Sequence, residues 1–227
     1  SDLDMGMNDW VCDKFEWSDS FSYNRGKVLG FEELEKLDSY GRYLDSDNDG
    51  ICYRTYPGTH PEKGAYFTRG TSHDEYARYT EDGNINAETL MRLMRKFRTA
   101  SELVPPPIIE INGEDSCGII YYGSSKPAVL EAKDILKTKD INVDLMQIRS
   151  FPFNLDVWEF IASHDRIYVV EQNRDSQMRT LIMAEGGISA EILRPLVHFT
   201  GDPIEASYIV NKISEREVNY KSHKNIK

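Results

Sequence analysis

The sequence predicts an α/β protein whose second half is an open, mainly parallel, doubly wound sheet. Two observations carry this. Beyond Pro105-Pro106-Pro107, short apolar runs alternate with helical patterns, and the connections between them are only a few residues long. Parallel strands joined by such helices form right-handed units, with helices on both faces of the sheet. A third observation is composition. The chain has 227 residues, of which 40% are apolar and 29% charged, enough apolar surface for a core.

Each element has a local reason. Gly30 to Leu37 is a short helical pattern. Asn84 to Leu103 is the clearest long helix, with Ala87, Leu90, Met91, Met94 and Phe97 on one face and Arg92, Arg95, Lys96 and Arg98 toward its C-terminal part. The rest of the first half is loop-like and rich in Gly, Asp, Tyr and Trp. Three prolines cannot continue a helix or donate to a ladder, so residues 105–117 read as a stiff linker.

After the linker, Gly118 to Tyr122 is a buried strand ended by Gly123-Ser124-Ser125. Pro127 suits a first helical turn, and Ala128, Leu130, Ala132, Ile135 and Leu136 make the helix stripe. Val143 to Ile148 is the second strand. Asn154 or Asp156 can cap a helix carrying Val157, Trp158, Phe160 and Ile161. Ile167 to Val170 is a third strand of β-branched and aromatic residues. Asp175 or Ser176 starts a helix through Met178, Leu181 and Ile182, which Gly186-Gly187 stops. Leu196 to Phe199 is the fourth strand, and Thr200-Gly201-Asp202-Pro203 leads into a helix from Ile204 to about Ile213. Residues 214–227 read as a flexible tail.

Lys and Arg number 27 against 38 Asp and Glu, a net charge of −11. A phosphate backbone needs a basic footprint, so nucleic acid is not the expected partner. No uncharged apolar run approaches the roughly 18–20 residues of a membrane span. Cys12, Cys52 and Cys117 form no C-x-x-C pair, so neither a cysteine zinc site nor an iron–sulfur site is written in this chain. Their odd count and wide spacing argue against a disulfide framework, which favours a reducing compartment and a cytoplasmic location. Ser1-Asp2-Leu3-Asp4 reads like a segment entered partway, as in a fragment; a processed terminus is the other reading.

Three constellations could carry chemistry. Asp45-Ser46-Asp47-Asn48-Asp49-Gly50 places carboxylates at Asp45, Asp47 and Asp49, as a calcium loop begins. The twelfth position is Tyr56, where the calcium loop needs a Glu, so a shorter Ca or Mg loop and an Asx-rich turn remain the alternatives. Thr68 to Tyr76 gathers Arg69, Thr71 and His73 with Asp74 and Glu75. It can bind an anion or a substrate, or it is a polar cluster paired within itself. Glu171, Gln172 and Asn173 follow the third strand, where open α/β sheets place ligands. They read as a ligand or interface loop, or as helix capping. No dinucleotide or nucleoside triphosphate fingerprint is present.

The stretch from Asp45 to Asp82 resembles the α subunit of 2-oxoacid:ferredoxin oxidoreductases, closest to the 2-oxoglutarate-type branch. So does Val169-Val170-Glu171-Gln172-Asn173-Arg174-Asp175-Ser176-Gln177. Phe151-Pro152-Phe153 and Thr200-Gly201-Asp202-Pro203 fall in the expected order. The resemblance implies thiamine diphosphate-dependent decarboxylation of a 2-oxoacid, electron transfer through iron–sulfur clusters to ferredoxin, and an acyl-coenzyme A product. It implies a transketolase C-terminal-like domain over 118–213. Residues 1–104 would then hold the tail of a pyrimidine-binding domain, ending near Trp17, followed by connecting segment and helix.

The thiamine-activating glutamate lies upstream in the family, and the diphosphate, Mg and cluster ligands belong to its β subunit. The resemblance therefore implies that this chain alone is inactive. Its role would be scaffold, subunit interface and part of the coenzyme A or substrate entrance. The expected partners are a β subunit and, through the complex, ferredoxin and coenzyme A. An oligomer is expected, as is weak self-association of the isolated chain. A non-catalytic interaction module on the same sheet, and a calcium-binding protein, are the competing readings.

Overall fold

The computed structural model describes residues 24–68, 70–112 and 117–224. These fall into two compact units, and along the chain the division between them lies between Leu103 and Val104. The segment up to Trp17 assigned to a pyrimidine-binding domain lies outside the described residues, as does Cys12.

Among the described residues the first unit has two helices, α1 (Phe31–Glu35) and α2 (Gly83–Leu103), joined by a long irregular stretch. Leu34 is fully buried, and Gly64 packs beside its side chain. The second unit holds strands β1 (Ile108–Glu110), β2 (Cys117–Tyr121), β3 (Asp144–Gln147), β4 (Arg166–Glu171) and β5 (Leu193–Val197). Its helices are α3 (Lys126–Lys137), α4 (Leu155–Ala162), α5 (Gln177–Gly186) and α6 (Ala206–Lys224). The strands form one sheet in the order β1-β3-β2-β4-β5. β3, β2, β4 and β5 run parallel, and β1 is antiparallel to β3. The fold is therefore mixed α/β with a mostly parallel sheet.

The alternation of side chains along a strand sends neighbours to opposite faces. In β4, Tyr168 and Val170 join Ile119, Leu145, Val129, Leu136, Ile209 and Ile213 in one core, under α3 and α6. Ile167 and Val169 join Ile120, Met146, Phe160, Ile161 and Ile182 in the other, under α4 and α5. Helices on both faces explain why β2 and β4 read as unbroken apolar runs rather than alternating ones. Gly118 makes room for one of these helices. A Cβ there would sit 2.9 Å from Phe160 Cε1 and 3.2 Å from His164 Cδ2.

Three segments differ from the sequence reading. β5 begins at Leu193 rather than Leu196, because Arg194 and Pro195 break its apolar pattern. Among the described residues it is an edge strand hydrogen-bonded only to β4, where a proline costs no ladder bond on the outer side. Within 105–117, read as linker, Ile108–Glu110 pairs with β3 as the opposite edge. Residues 214–224, read as a tail, continue α6. The reason lies in Glu217. Its carboxylate is buried against the first residue of β4, where Arg166 Nε donates to both carboxylate oxygens at 2.9 Å and Arg166 Nη2 lies 2.7 Å from Oε2. Tyr168 Oη donates to the same carboxylate at 2.8 Å.

Burial alone would raise the Glu217 carboxyl, but the hydrogen bonds and charge of Arg166, with the Tyr168 hydroxyl, outweigh it and hold the group below its ordinary value of 4.5. Between the folded and ordinary values the unfolded chain binds the extra proton. This contribution is therefore complete above about 4.5 and fades as pH falls through the folded value. Glu217→Gln removes the carboxylate charge that faces buried Arg166 and should cost about 3–5 kcal/mol at neutral pH. Urea unfolding of both proteins over a pH series checks it. The gap between them should narrow once the pH drops below 4.5.

Candidate functional site

Two clusters hold the candidate residues that the structure describes, one in each unit. In the first unit the 45–50 loop lies against α2. Asp45 Oδ1 accepts from the Gly50 N–H at 2.9 Å, while Asp45 Oδ2 accepts from Arg95 Nε at 3.2 Å and Nη2 at 2.9 Å. Thr99 Oγ1 donates to the Asp49 carbonyl at 2.5 Å, and Arg92 Nη1 to the Gly50 carbonyl at 3.2 Å. Gly50 adopts φ +82, and a Cβ there would meet Lys96 N at 2.2 Å. The glycine thus serves two needs, a left-handed backbone and direct contact between loop and helix backbones.

Asp47 and Asp49 receive a cation from the chain itself. Lys27 Nζ lies 2.7 Å from Asp47 Oδ2 and 2.7 Å from Asp49 Oδ2. Desolvation works to lower the ammonium, but hydrogen bonds and charge from the two carboxylates prevail and raise it above the ordinary lysine range. The Lys27 hydrogen bond in turn lowers both Asp47 and Asp49. Asp45 is turned to Arg95 and away from this pair. Among the described residues, no three His, Cys, Asp or Glu side chains converge as a metal site. Lys27 lies eighteen positions before Asp45 with no motif between, so nothing in the sequence pointed to it.

Thr71 and His73 line one cavity of about 380 Å³ with Phe67, Ser72, Arg78 and Tyr79. The His73 ring stacks on Tyr43 at 3.8 Å, and its Nδ1 lies 3.0 Å from the Asp74 carbonyl. Asp74 Oδ1 accepts from the N–H groups of Tyr76 and Arg78, which shapes a turn that puts Ala77 at φ +68. Left-handed backbone at a residue with a Cβ is uncommon and clusters near ligand sites. Arg69 lies outside the described residues. A cavity of about 720 Å³ opens between this turn, Tyr43 and α2, with Arg78, Arg92 and Glu88 on its walls. These residues come from stretches some fifty positions apart, so no local pattern could have joined them.

In the second unit, strand order reverses between β2 and β4, and crevices form beyond the strand ends at such points. Glu171, Gln172 and Asn173 lie there. Glu171 is fully buried, and its carboxylate accepts from the Met178 N–H at 2.8 Å, the Arg179 N–H at 3.0 Å and Asn173 Nδ2 at 2.8 Å. These amides open α5, so the carboxylate caps that helix and meets its positive end. Gln172 Nε2 donates to Ser124 Oγ at 3.0 Å, tying the β2 and β4 loops together. The side chains of Glu171 and Gln172 are thus committed within the chain.

Comparison with known proteins adds to this geometry. No family model matches the chain. The α subunit of 2-oxoacid:ferredoxin oxidoreductase 2 from Aeropyrum pernix is 28% identical over 200 residues, covering 84% of this chain and 29% of that protein. The α subunit from Saccharolobus solfataricus is 28% identical over 124 residues, covering 52% and 20%. The chain is similar to 2-oxoacid:ferredoxin oxidoreductase α subunits. It spans less than a third of the length of these curated relatives. Coverage of 84% exceeds what either unit alone could supply, so the likeness to the Aeropyrum α subunit runs through both. The fold matches a chain of the 2-oxoglutarate:ferredoxin oxidoreductase from Magnetococcus marinus with a TM-score of 0.72 at 23% identity, covering 86% of this chain and 33% of that one. The Magnetococcus structure holds 2-oxoglutarate, coenzyme A and succinyl-CoA.

Two outcomes follow from the site geometry. Glu171→Ala strands two buried helix N–H groups and should cost about 1–3 kcal/mol, read from chemical denaturation of the full chain. A divalent ion at the 45–50 loop must displace Lys27. The melting temperature should therefore not change with millimolar calcium or with a chelator, while Lys27→Met is the variant in which calcium raises it.

Proposed function

We propose that this chain is part of the α subunit of a 2-oxoacid:ferredoxin oxidoreductase, with 2-oxoglutarate as the first substrate to test. The observation that carries the proposal is the alignment to an α subunit over 200 residues, crossing both units. The reaction would be oxidative decarboxylation to an acyl-coenzyme A, with electrons passed to ferredoxin, in a complex located in the cytoplasm.

The cofactor chemistry belongs elsewhere in that complex. Thiamine diphosphate needs a magnesium cradle, and iron–sulfur clusters need grouped thiolates. A β subunit is the partner we assign those ligands to. This chain would supply scaffold, subunit interface and a wall of the substrate or coenzyme A entrance.

Thr71 and His73 are the residues we assign to that entrance, together with Arg69. A 2-oxoacid carries a carboxylate, and the loop's cation, hydroxyl and imidazole are the groups that hold one. His73 is oriented for this by Tyr43, which fixes the ring plane by stacking.

The test is 2-oxoglutarate- and coenzyme A-dependent reduction of a low-potential dye, with thiamine diphosphate present. The chain alone should show no turnover, and the chain assembled with its β partner should show it. His73→Ala in the assembled enzyme should raise KM for the 2-oxoacid at least about tenfold, the loss of one charge-assisted contact. Turnover by the isolated chain would overturn the assignment. An assembled complex inactive toward every 2-oxoacid would move the chain to the interaction-module reading.

A further inference from the structure

The segment from Ser72 to Thr80 is a tight hairpin. The Asp74 N–H donates to the Arg78 carbonyl at 2.9 Å, and the Thr80 N–H to the Ser72 carbonyl at 3.3 Å. His73 and Tyr79 face each other across it as antiparallel partners. The cavity of about 380 Å³ on this hairpin takes groups from both arms. Thr71, Ser72 and His73 come from the first, and Arg78 and Tyr79 from the second.

The chemistry of the wall is one-sided. The chain carries a net charge of −11, and among the described residues that line this cavity none is a carboxylate. The wall offers two hydroxyls, an imidazole, the phenols of Tyr76 and Tyr79, and a guanidinium. Donors and cations gathered with no acid among them suit an anion.

Arg78 is the cation without a counter-charge. Its guanidinium lies over the Tyr76 ring, 5.3 Å from the centroid, and among the described residues it makes no hydrogen bond or ion pair. The acids of the hairpin are used elsewhere. Asp74 Oδ1 accepts from two backbone N–H groups, and Glu81 accepts from the Tyr79 hydroxyl. Glu75 and Glu88 line the larger cavity and form no ion pair with Arg78. The other arginines beside it differ, since Arg95 is paired with Asp45 and Arg92 donates to the Gly50 carbonyl. A planar fork resting on an aromatic face is pre-organised to take a carboxylate with two hydrogen bonds.

We infer that the hairpin cavity binds a dicarboxylate, and that Arg78 selects it by holding the second carboxylate. The inference rests on the reading of this loop as a 2-oxoacid entrance, in which Thr71 and His73, with Arg69, take the carboxylate beside the oxo group. Arg78 stands on the opposite arm and takes the charge at the far end of the same molecule. A 2-oxoacid with one carboxylate has no group to pair with it.

The test compares 2-oxoglutarate with 2-oxovalerate, which carries a methyl group in place of the second carboxylate. In the enzyme assembled with its β partner, Arg78→Gln should lower the ratio of kcat/KM for 2-oxoglutarate to that for 2-oxovalerate at least about tenfold, the loss of one charge-assisted pair. The fall should lie in the 2-oxoglutarate value, with the melting temperature unchanged. Arg78→Lys keeps the charge without the fork and should keep part of the preference. A ratio that Arg78→Gln does not move overturns the inference and leaves the enzymatic reading standing. So does an equal loss for both acids, which a structural role would give. Turnover of no 2-oxoacid overturns the enzymatic reading, and the cavity is then judged by calorimetric titration of the full chain with 2-oxoglutarate. Binding that Arg78→Gln weakens at least about tenfold upholds the dicarboxylate site. No binding, or binding indifferent to Arg78, overturns it.

Discussion

Strand β4 is buried along all six of its residues, between two neighbours and between two layers of helices, and most of the second unit follows from that burial. Its interior residues divide by parity between two apolar cores. Its two ends are charged, and charge cannot be buried without compensation. At the start, Arg166 is met by Glu217 from the far end of the chain. At the finish, Glu171 is met by the amide groups that open α5. The first solution holds α6 against the sheet as far as Glu217. The second fixes where α5 begins. The same physical demand therefore sets a tertiary contact at one end of the strand and a local helix cap at the other.

The first unit has little apolar core, with Leu34 as its one fully buried large side chain among the described residues. Its order comes from polar contacts at backbone level. The 45–50 loop is closed by its own carboxylates, anchored to α2 by Arg92, Arg95 and Thr99, and neutralised by Lys27. Net hydrogen bonds stabilise modestly, but they are directional and so specify shape well.

The candidate residues illustrate how one pattern in sequence admits two chemistries. Glu171-Gln172-Asn173 sits where α/β sheets bind ligands, and the carboxylate there closes a helix. Asp45, Asp47 and Asp49 begin like a calcium loop, and the cations beside them are Lys27 and Arg95. In both cases side-chain type was readable, and the identity of the counter-group was not. Thr71 and His73 are different, since they line a cavity and the turn beside them carries left-handed backbone at Ala77.

The sequence by itself determined the strand–helix order of the second unit, because apolar runs and helical stripes are local patterns with distinct periods. It also determined the long helix from residue 84 and the family resemblance, which rests on motifs in order. Tertiary structure alone decided what local patterns cannot carry. Pro195 is admitted to a strand because that strand lies at an edge. Residues 214–224 are helix because Glu217 meets Arg166, 51 positions away in the chain. Lys27 serves the acidic loop because folding brings it there. Periodicity reports how an element faces a core, whereas pairing between distant charges is settled only by the packing that brings them into contact.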